Sequence, residues 1–230
     1  MKRTAWLPIL LLSTSTTFAA EPSFLQRDKI DLRAVLPEPP QAGSAALKSD
    51  LAALHRIEAH RSEADAERAR YDENNPTVFL FATVLGPNFT EAQLPLTAAF
   101  FKRVRDDESA FGDGAKDLFK RPRPFEVDTT LHPVCRTKDI GTSYPSGYML
   151  RGVLYARLLS EALPEKKAAI VKRGDDFANN RLVCGSHYPS DMVGSRALAL
   201  RMAELLLASP EFRAAFEPVR AEMRHALGLA

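Results

Sequence analysis

Residues 180–191 read Asn-Arg-Leu-Val-Cys-Gly-Ser-His-Tyr-Pro-Ser-Asp and separate two apolar segments with helical periodicity. Pro189 suits the first turn of the second helix, which places His187 at the mouth of that helix and Asp191 one turn further on. An acceptor at one imidazole nitrogen would fix the tautomer and leave the other nitrogen as a nucleophile. Taken alone, a His–Asp pair at this spacing is more often a surface pair. The stretch therefore predicts a helix–turn–helix with a candidate nucleophile at the turn.

Helical periodicity extends over most of the remaining chain. Leu47, Leu51, Leu54 and Ile57 form one apolar stripe, and we predict a turn at residues 113–114. No segment shows sustained alternation, so we predict an all-α fold built as a compact helical bundle. The predicted helical segments are residues 45–72, 78–85 with its continuation 93–104, 115–120, 147–163, 165–182, 189–208 and 210–227.

The N-terminus has the composition of an export signal. Lys2 and Arg3 precede a short apolar run, and small residues follow as far as Ala19 and Ala20. We expect a signal peptide over residues 1–19, with cleavage after Ala19 and Ala20 as a near rival, although an N-terminal anchor or core helix is the alternative. The apolar run is too short to span a bilayer, and no later run reaches that length.

Cleavage there would leave 29 basic and 29 acidic residues, because the removed segment holds two of the 31 basic residues and no acid. A neutral mature chain argues against non-specific binding to nucleic acid or to an anionic membrane. Prolines at positions 37, 39 and 40 predict an extended arm over residues 20–44, followed by one helical domain over 45–230. Cys135 and Cys184 are read as a disulfide in an exported protein, with two buried thiols as the alternative.

Two further segments carry candidate site residues. Lys116 and Arg123 lie seven residues apart, and the prolines around Arg123 would hold it in a fixed loop. Residues 145–147 read Pro-Ser-Gly before a periodic apolar run, which predicts a helix N-terminus with free N–H groups and room for an anion near Gly147. Taken alone, the first segment is commonly a solvated helix end and the second an ordinary cap through Ser146.

Together the three segments supply what transfer of a phosphoryl group requires. Arg123 and Arg181 offer planar forks of donors, Lys116 a further positive charge, and His187 an in-line attacker. No cluster has metal-ligand spacing, so we expect no metal or other cofactor, with the basic side chains neutralising the phosphate charge.

The same segments resemble the signature of the bacterial class A acid phosphatases, within the type 2 phosphatidic acid phosphatase and vanadium haloperoxidase superfamily. That signature runs Lys, six residues, Arg-Pro; then Pro-Ser-Gly-His; then Ser-Arg, five residues, His, three residues, Asp. The core of the resemblance covers residues 116–191, with weaker likeness over most of the mature chain. The matching positions are Lys116, Arg123, Pro124, Pro145, Ser146, Gly147, Arg181, His187 and Asp191.

The resemblance implies an all-helical core, a periplasmic location, small-molecule phosphate monoesters as substrates and often a homo-oligomer. It implies that His187 forms a phosphohistidine and that Asp191 orients it. The phosphate oxygens would be held by Lys116, Arg123, Ser146, the Gly147 amide and Arg181.

Two positions depart from the signature. Asn180 replaces a serine that only flanks the site. Tyr148 replaces the histidine that, in the family, protonates the leaving oxygen and then assists water. A phenol titrates near 10, against about 6.5 for imidazole, so Tyr148 is a poor general base at acid or neutral pH. We therefore expect an enzyme slowed or re-tuned at this position, with His132 as a candidate to supply the proton instead.

Three other functions compete with this interpretation. The first is a catalytically silent relative that binds phosphate or phosphorylated ligands. The second is a vanadate-dependent haloperoxidase, although Tyr148 would impair that chemistry too. The third, a membrane lipid phosphatase, is disfavoured because no segment beyond the N-terminus is long enough to span a bilayer.

Overall fold

The computed structural model describes residues 23–135 and 141–229, so the predicted signal peptide lies outside the described residues. Within those two ranges the chain forms helices and no strand, which confirms the all-α class. Short 3₁₀ turns occupy Arg27–Lys29, Val78–Phe81 and Pro164–Lys166. The α-helices are α1 (Leu32–Val35), α2 (Ala45–His60), α3 (Glu63–Asn74), α4 (Ala82–Leu85), α5 (Pro95–Phe119), α6 (Pro124–Val127), α7 (Gly147–Ala162), α8 (Lys167–Val183), α9 (Pro189–Ala208) and α10 (Pro210–Ala226).

Helix α7 lies at the centre, and twelve of its sixteen residues are buried. It packs on α8 through two glycines: a Cβ on Gly152 would lie 2.8 Å from the carbonyl oxygen of Gly174, and one on Gly174 would lie 2.7 Å from Cβ of Ala156. Only hydrogen fits at such distances, so the glycines allow the two helices to approach closely. Tyr148 at the beginning of α7 packs on Phe177 and Arg181, so the beginning of α7 lies beside the end of α8.

Two predicted boundaries are wrong. The segment 45–72 is not one helix, because Ser62 begins α3 by accepting from the amide of Asp65, whose carboxylate accepts in turn from the amide of Ser62. The turn predicted at residues 113–114 is absent, since α5 continues through both and ends only before Lys120, which has a positive φ of 46°. Burial of Phe111 and Ala115 holds this part of α5 against the core and overrides the local turn tendency.

The proline-rich arm is docked on the helices. Leu25, Ile30 and Leu36 are buried in the core, and two short helical turns interrupt the extended backbone between them. Near the end of the arm, the carbonyl oxygen of Pro37 accepts a hydrogen bond of 2.7 Å from the hydroxyl of Tyr144. The arm thereby anchors the loop that leads into α7, where the peptide between Tyr144 and Pro145 is cis.

Cys135 and Cys184 form a disulfide with their Cα atoms 5.1 Å apart, as the sequence predicts for an exported protein. The bond closes a loop with a sequence separation of 49 residues, which removes about 4 kcal/mol of unfolded-state entropy in the chain-entropy description. Cys184 directly follows α8 and lies three residues before His187. The disulfide therefore tethers the turn that presents the candidate nucleophile.

Candidate active site

His187 is 3 % exposed, and both of its ring nitrogens have defined partners. Nδ1 lies 2.8 Å from the carbonyl oxygen of Ser143, and Nε2 lies 2.9 Å from Nη1 of Arg123. The pKa of His187 is lowered to about 4, chiefly because the ring is buried; Asp191 opposes the shift and Arg123 adds to it. A carbonyl only accepts and a guanidinium only donates, so the neutral ring carries its proton on Nδ1. The lone pair is on Nε2, where it accepts from Arg123, and it would serve for attack on an electrophile once a ligand takes over that donor.

Asp191 is fully buried at the start of α9, and its carboxylate is held by several donors. Its Oδ2 accepts from the hydroxyl of Ser143 at 2.7 Å and from the amide of Tyr188 at 2.9 Å. The same oxygen lies 3.4 Å from Nδ1 of His187, which is further than the Ser143 carbonyl. Asp191 therefore supports the histidine in two ways. Its negative charge lies close to the ring, and it fixes Ser143, whose carbonyl accepts the hydrogen bond from Nδ1.

Arg121 is a residue that the sequence reasoning missed. Its side chain is 5 % exposed, and Nη1 donates to Oδ1 of Asp191 at 2.6 Å and to the hydroxyl of Ser190 at 2.8 Å. Its Nη2 donates to Asp50 of α2 at 3.2 Å. Arg121 thus provides a buried positive charge in direct contact with the carboxylate of Asp191. The available signal was the spacing, since residues two apart in extended backbone, such as Arg121 and Arg123, point to the same side.

Arg123 joins the two loops that flank the histidine. Its Nη1 donates to the carbonyl oxygen of Ser186 at 3.1 Å as well as to His187, and its Nη2 donates to the hydroxyl of Thr142 at 3.0 Å. The backbone amide of Arg123 donates to Glu126 at 2.7 Å, and Pro124 starts α6, so the position of the side chain is fixed by the local turn. This places a planar fork of donors beside the lone pair of Nε2.

The start of α7 is the helix N-terminus predicted from residues 145–147. Ser146 caps it, with its hydroxyl accepting from the amide of Met149 at 3.4 Å. A Cβ on Gly147 would lie 3.3 Å from Oε1 of Glu108, so residue 147 has little room for a side chain. Glu108 is itself buried and pairs with Arg151 at 2.6 Å, and burial raises its pKa against the effect of that arginine. The first turn of α7 therefore presents backbone donors beside a buried ion pair.

Arg181 lies near the end of α8 and is 4 % exposed. Its Nη1 donates to Oε1 of Glu73 at 3.1 Å, and its guanidinium carbon lies 4.4 Å from the ring centroid of Tyr148. Its Nε is buried and has no acceptor among the residues that the structure describes. A buried donor without an acceptor costs about 1–3 kcal/mol, so this N–H is a feature that an anionic ligand would satisfy.

Tyr148 does not direct its hydroxyl at the histidine. The hydroxyl donates to the backbone carbonyl of Glu73 at 3.1 Å, and the ring packs against Phe177 with centroids 5.9 Å apart. With the Arg181 guanidinium on its face, the ring acts as a platform for that side chain. Its one proton is engaged by a backbone oxygen.

The two remaining candidates lie at different depths. Lys116 is on the last turns of α5, where its side chain is 24 % exposed and Nζ lies 3.1 Å from Asp113. Its charge acts on buried Glu108, which borders the start of α7, so Lys116 contributes to the positive field there. His132 is at the surface, 78 % exposed, with Nδ1 3.0 Å from Glu58 of α2. The structure therefore does not bring His132 into the buried site.

No metal-binding group accompanies these basic residues in the part of the chain that the structure describes. Within residues 23–135 and 141–229, no three His, Cys, Asp or Glu side chains are placed to hold a metal ion together. The described site offers guanidinium and helix N–H donors, of the kind that suit a tetrahedral anion, together with an unprotonated imidazole nitrogen.

Comparison with known proteins gives a consistent result. Residues 108–214 match the PAP2 superfamily. The chain is 30 % identical over 202 residues to the non-specific acid phosphatase of Providencia stuartii, covering 84 % of this chain and 81 % of that protein. It is 26 % identical over 227 residues to the non-specific acid phosphatase of Salmonella typhimurium, covering 95 % and 90 %. It is 36 % identical over 151 residues to the acid phosphatase of Zymomonas mobilis subsp. mobilis, covering 64 % and 56 %.

Proposed function

The chain belongs to the PAP2 superfamily and is an acid phosphatase that hydrolyses phosphate monoesters, and we propose that it does so through a phosphohistidine on His187. The observation that carries this proposal is the arrangement of the imidazole. Nδ1 is tied to the Ser143 carbonyl at 2.8 Å, and Nε2 lies 2.9 Å from Arg123. A neutral ring with one nitrogen fixed and the other beside a phosphate-binding cation is prepared for nucleophilic attack.

The phosphoryl group would lie among donors from three segments. Arg123 and Arg181 would each contribute guanidinium N–H groups, including the buried Nε of Arg181. The amide of Gly147 and the hydroxyl of Ser146 would bind further oxygens at the N-terminus of α7. Lys116 would add charge from the end of α5, so that the basic side chains neutralise the phosphoryl charge.

Attack by Nε2 on phosphorus would form the N–P bond as the ester O–P bond breaks. The imidazole becomes cationic in this step, and buried Asp191, only 3.4 Å from Nδ1, would stabilise that charge. Arg121 would keep Asp191 ionised and in place throughout. Asp191 and Arg121 are already positioned, so the rearrangement this step requires is that Arg123 exchanges its contact with Nε2 for one with the phosphoryl group.

Hydrolysis of the phosphohistidine would be the slower half of the reaction. Tyr148 occupies the position from which a histidine would serve water, but its hydroxyl donates to the Glu73 carbonyl and its phenol is a poor base at pH 5–7. The enzyme would therefore accumulate the phosphorylated form with substrates whose leaving groups need no proton.

Export to the periplasm is part of the proposal. It is supported by the signal-like residues 1–19 and by the disulfide, which is typical of oxidising compartments. Within the described ranges, no helix is both long enough and apolar enough to cross a membrane.

The test is hydrolysis of p-nitrophenyl phosphate by the purified protein before and after exhaustive chelation. We expect activity to persist after chelation and to fall by more than about 10⁴-fold in His187→Ala, as for removal of other nucleophiles. His60→Ala, at an exposed histidine on α2, is the matched control and should retain full activity. Binding of inorganic phosphate without any turnover would instead favour the silent relative, and loss on chelation with recovery on adding a divalent ion would contradict the charge assignment.

A further inference from the structure

We propose that the carboxylate of Glu73 accepts the proton of the water molecule that hydrolyses the phosphohistidine. The inference rests on the proposed function, because it names the proton acceptor for the second half of that reaction. Glu73 comes from α3, far in sequence from the other site residues. It therefore enters the site only through the packing of α3 against α8.

Glu73 contacts the site through both its backbone and its side chain. The backbone carbonyl accepts from the hydroxyl of Tyr148 at 3.1 Å, and Oε1 accepts from Nη1 of Arg181 at 3.1 Å. The Glu73 side chain is 10 % exposed, and that of Arg181 is 5 % exposed. A phosphate bound by the remaining donors of Arg181 would share one guanidinium with Glu73. The Arg181 guanidinium would then contact both the Glu73 carboxylate and the phosphate.

The end of α3 is held firmly enough to position this carboxylate. Asp72, the preceding residue, is buried and receives hydrogen bonds from both Nη atoms of Arg173 and from the Asn180 amide at 2.7 Å. Arg173 and Asn180 both belong to α8, as does Arg181. Two consecutive acidic residues of α3 thus bind α8. Asp72 holds the two helices together, and Glu73 contacts the candidate site through Arg181.

Water has access to the same carboxylate. A cavity of ≈ 270 Å³ is lined by Arg70, Glu73, Asn74 and Val134. Its volume is many times the ~30 Å³ that one water occupies in the liquid, so it can hold several. The carboxylate that accepts from Arg181 thus belongs to a residue that lines this cavity, so water in the cavity can reach the proposed acceptor.

The proton balance of the step is simple. The water oxygen forms a bond to phosphorus while the N–P bond breaks, and the electron pair of that bond returns to Nε2 of His187. One proton of the water passes to the carboxylate of Glu73, and phosphate leaves with the other. A carboxylate is a weaker base than imidazole, with a reference pKa near 4.3 against about 6.5, so this route is slower than one through histidine.

The other nearby groups are engaged elsewhere. The Tyr148 proton is donated to a carbonyl, and His132 is exposed and paired with Glu58. Glu108, although close to Gly147, is bound by Arg151 through two hydrogen bonds to one oxygen. Among these groups, Glu73 is the one whose carboxylate contacts a candidate phosphate ligand and also borders a cavity.

The experiment is a double-mutant cycle between Glu73→Gln and Tyr148→His, measured by rapid mixing with p-nitrophenyl phosphate. In the otherwise unchanged protein, Glu73→Gln should leave the burst of p-nitrophenol intact and slow the steady rate by about 10²-fold. In the Tyr148→His background the same change should cost less than about 3-fold, because histidine then takes the proton. Glu63→Gln, on an exposed glutamate at the other end of α3, should have no effect.

Three results would overturn the inference. An equal loss in both backgrounds would mean that Glu73 only positions Arg181, and an unchanged or raised steady rate in Glu73→Gln would mean that it merely competes with phosphate. A Glu73→Ala variant that added formate does not accelerate would also contradict it, since a small carboxylate should replace the missing base. Absence of both a burst and an alkali-stable phosphorylated protein would instead overturn the proposed phosphohistidine, on which the inference rests.

Discussion

The His187 side and the Tyr148 side of the site both lie at the start of a long helix, but their hydrogen bonds serve different ends. On the His187 side, every contact prepares the ring for chemistry: Nδ1 is bound to Ser143, and Nε2 faces Arg123. On the Tyr148 side, the ring supports the Arg181 guanidinium, and the hydroxyl donates a hydrogen bond to the backbone carbonyl of Glu73. The comparison teaches that two aromatic rings in neighbouring turns can have different tasks: the imidazole has its nitrogens fixed by polar partners, whereas the Tyr148 ring supports a guanidinium.

The largest effect is expected from Arg121, which underlies the His187 side. Arg121→Ala would leave the buried carboxylates of Asp191 and Asp50 without their cation, and breaking a buried pair this way typically costs 3–5 kcal/mol. We expect a loss of about that size in the free energy of unfolding, measured by urea denaturation. Arg68→Ala, which removes an exposed pair with Asp65, should cost about 1 kcal/mol or less.

A loss of under 1 kcal/mol in Arg121→Ala would show that Asp191 is protonated or otherwise compensated. The description of the His187 side as a network prepared around an ionised carboxylate would then be wrong.

The next effect in size is expected on the Tyr148 side, and it is a gain in the steady rate of hydrolysis. Tyr148→His supplies a base titrating near neutrality at the position where the family places a histidine, so the steady rate with an aryl phosphate should rise by about 10²-fold. The measurement is the rate after the burst at pH 6. An unchanged rate would indicate that water already has a fully effective base, and the contrast between the two sides would disappear.

The smallest effect is expected from Tyr148→Phe. The change removes one hydrogen bond to the Glu73 carbonyl but keeps the ring under Arg181, so the free energy of unfolding should fall by about 1 kcal/mol. The steady rate should stay within about 3-fold, because a hydroxyl that donates to backbone is not the working acid or base. A 10²-fold loss would show that the phenol does carry the proton.

The sequence allowed most of the fold to be predicted where prolines and strong periodicity coincide. Helices α9 and α10 begin at Pro189 and Pro210 as expected, and α7 begins at Gly147 behind its Ser146 cap. The prediction failed at residues 113–114, because the burial of Phe111 and Ala115 outweighs the local preference of Asp113 and Gly114 for a turn. Local pattern decides helix ends well only where no tertiary contact competes.

The site divides in the same way. Short motifs with fixed spacing point to the candidates His187, Arg123 and Ser146. No local pattern points to Glu73, since its contacts with Arg181 and Tyr148 join residues 108 and 75 positions apart. Arg121 was within reach through its spacing from Arg123, but its pairing with Asp191 depends on α9 packing beside that loop.

The central claim is that the nucleophile is intact while the proton-transfer position has changed, and the burst tests it most directly. Rapid mixing of the purified protein with p-nitrophenyl phosphate should release p-nitrophenol close to one per site, followed by a slower steady rate. Alkaline quenching should trap a phosphorylated protein that carries the phosphoryl group on His187. The His187→Ala variant should give no such phosphorylated protein. A linear time course with no burst and no alkali-stable phosphorylated protein would contradict the account.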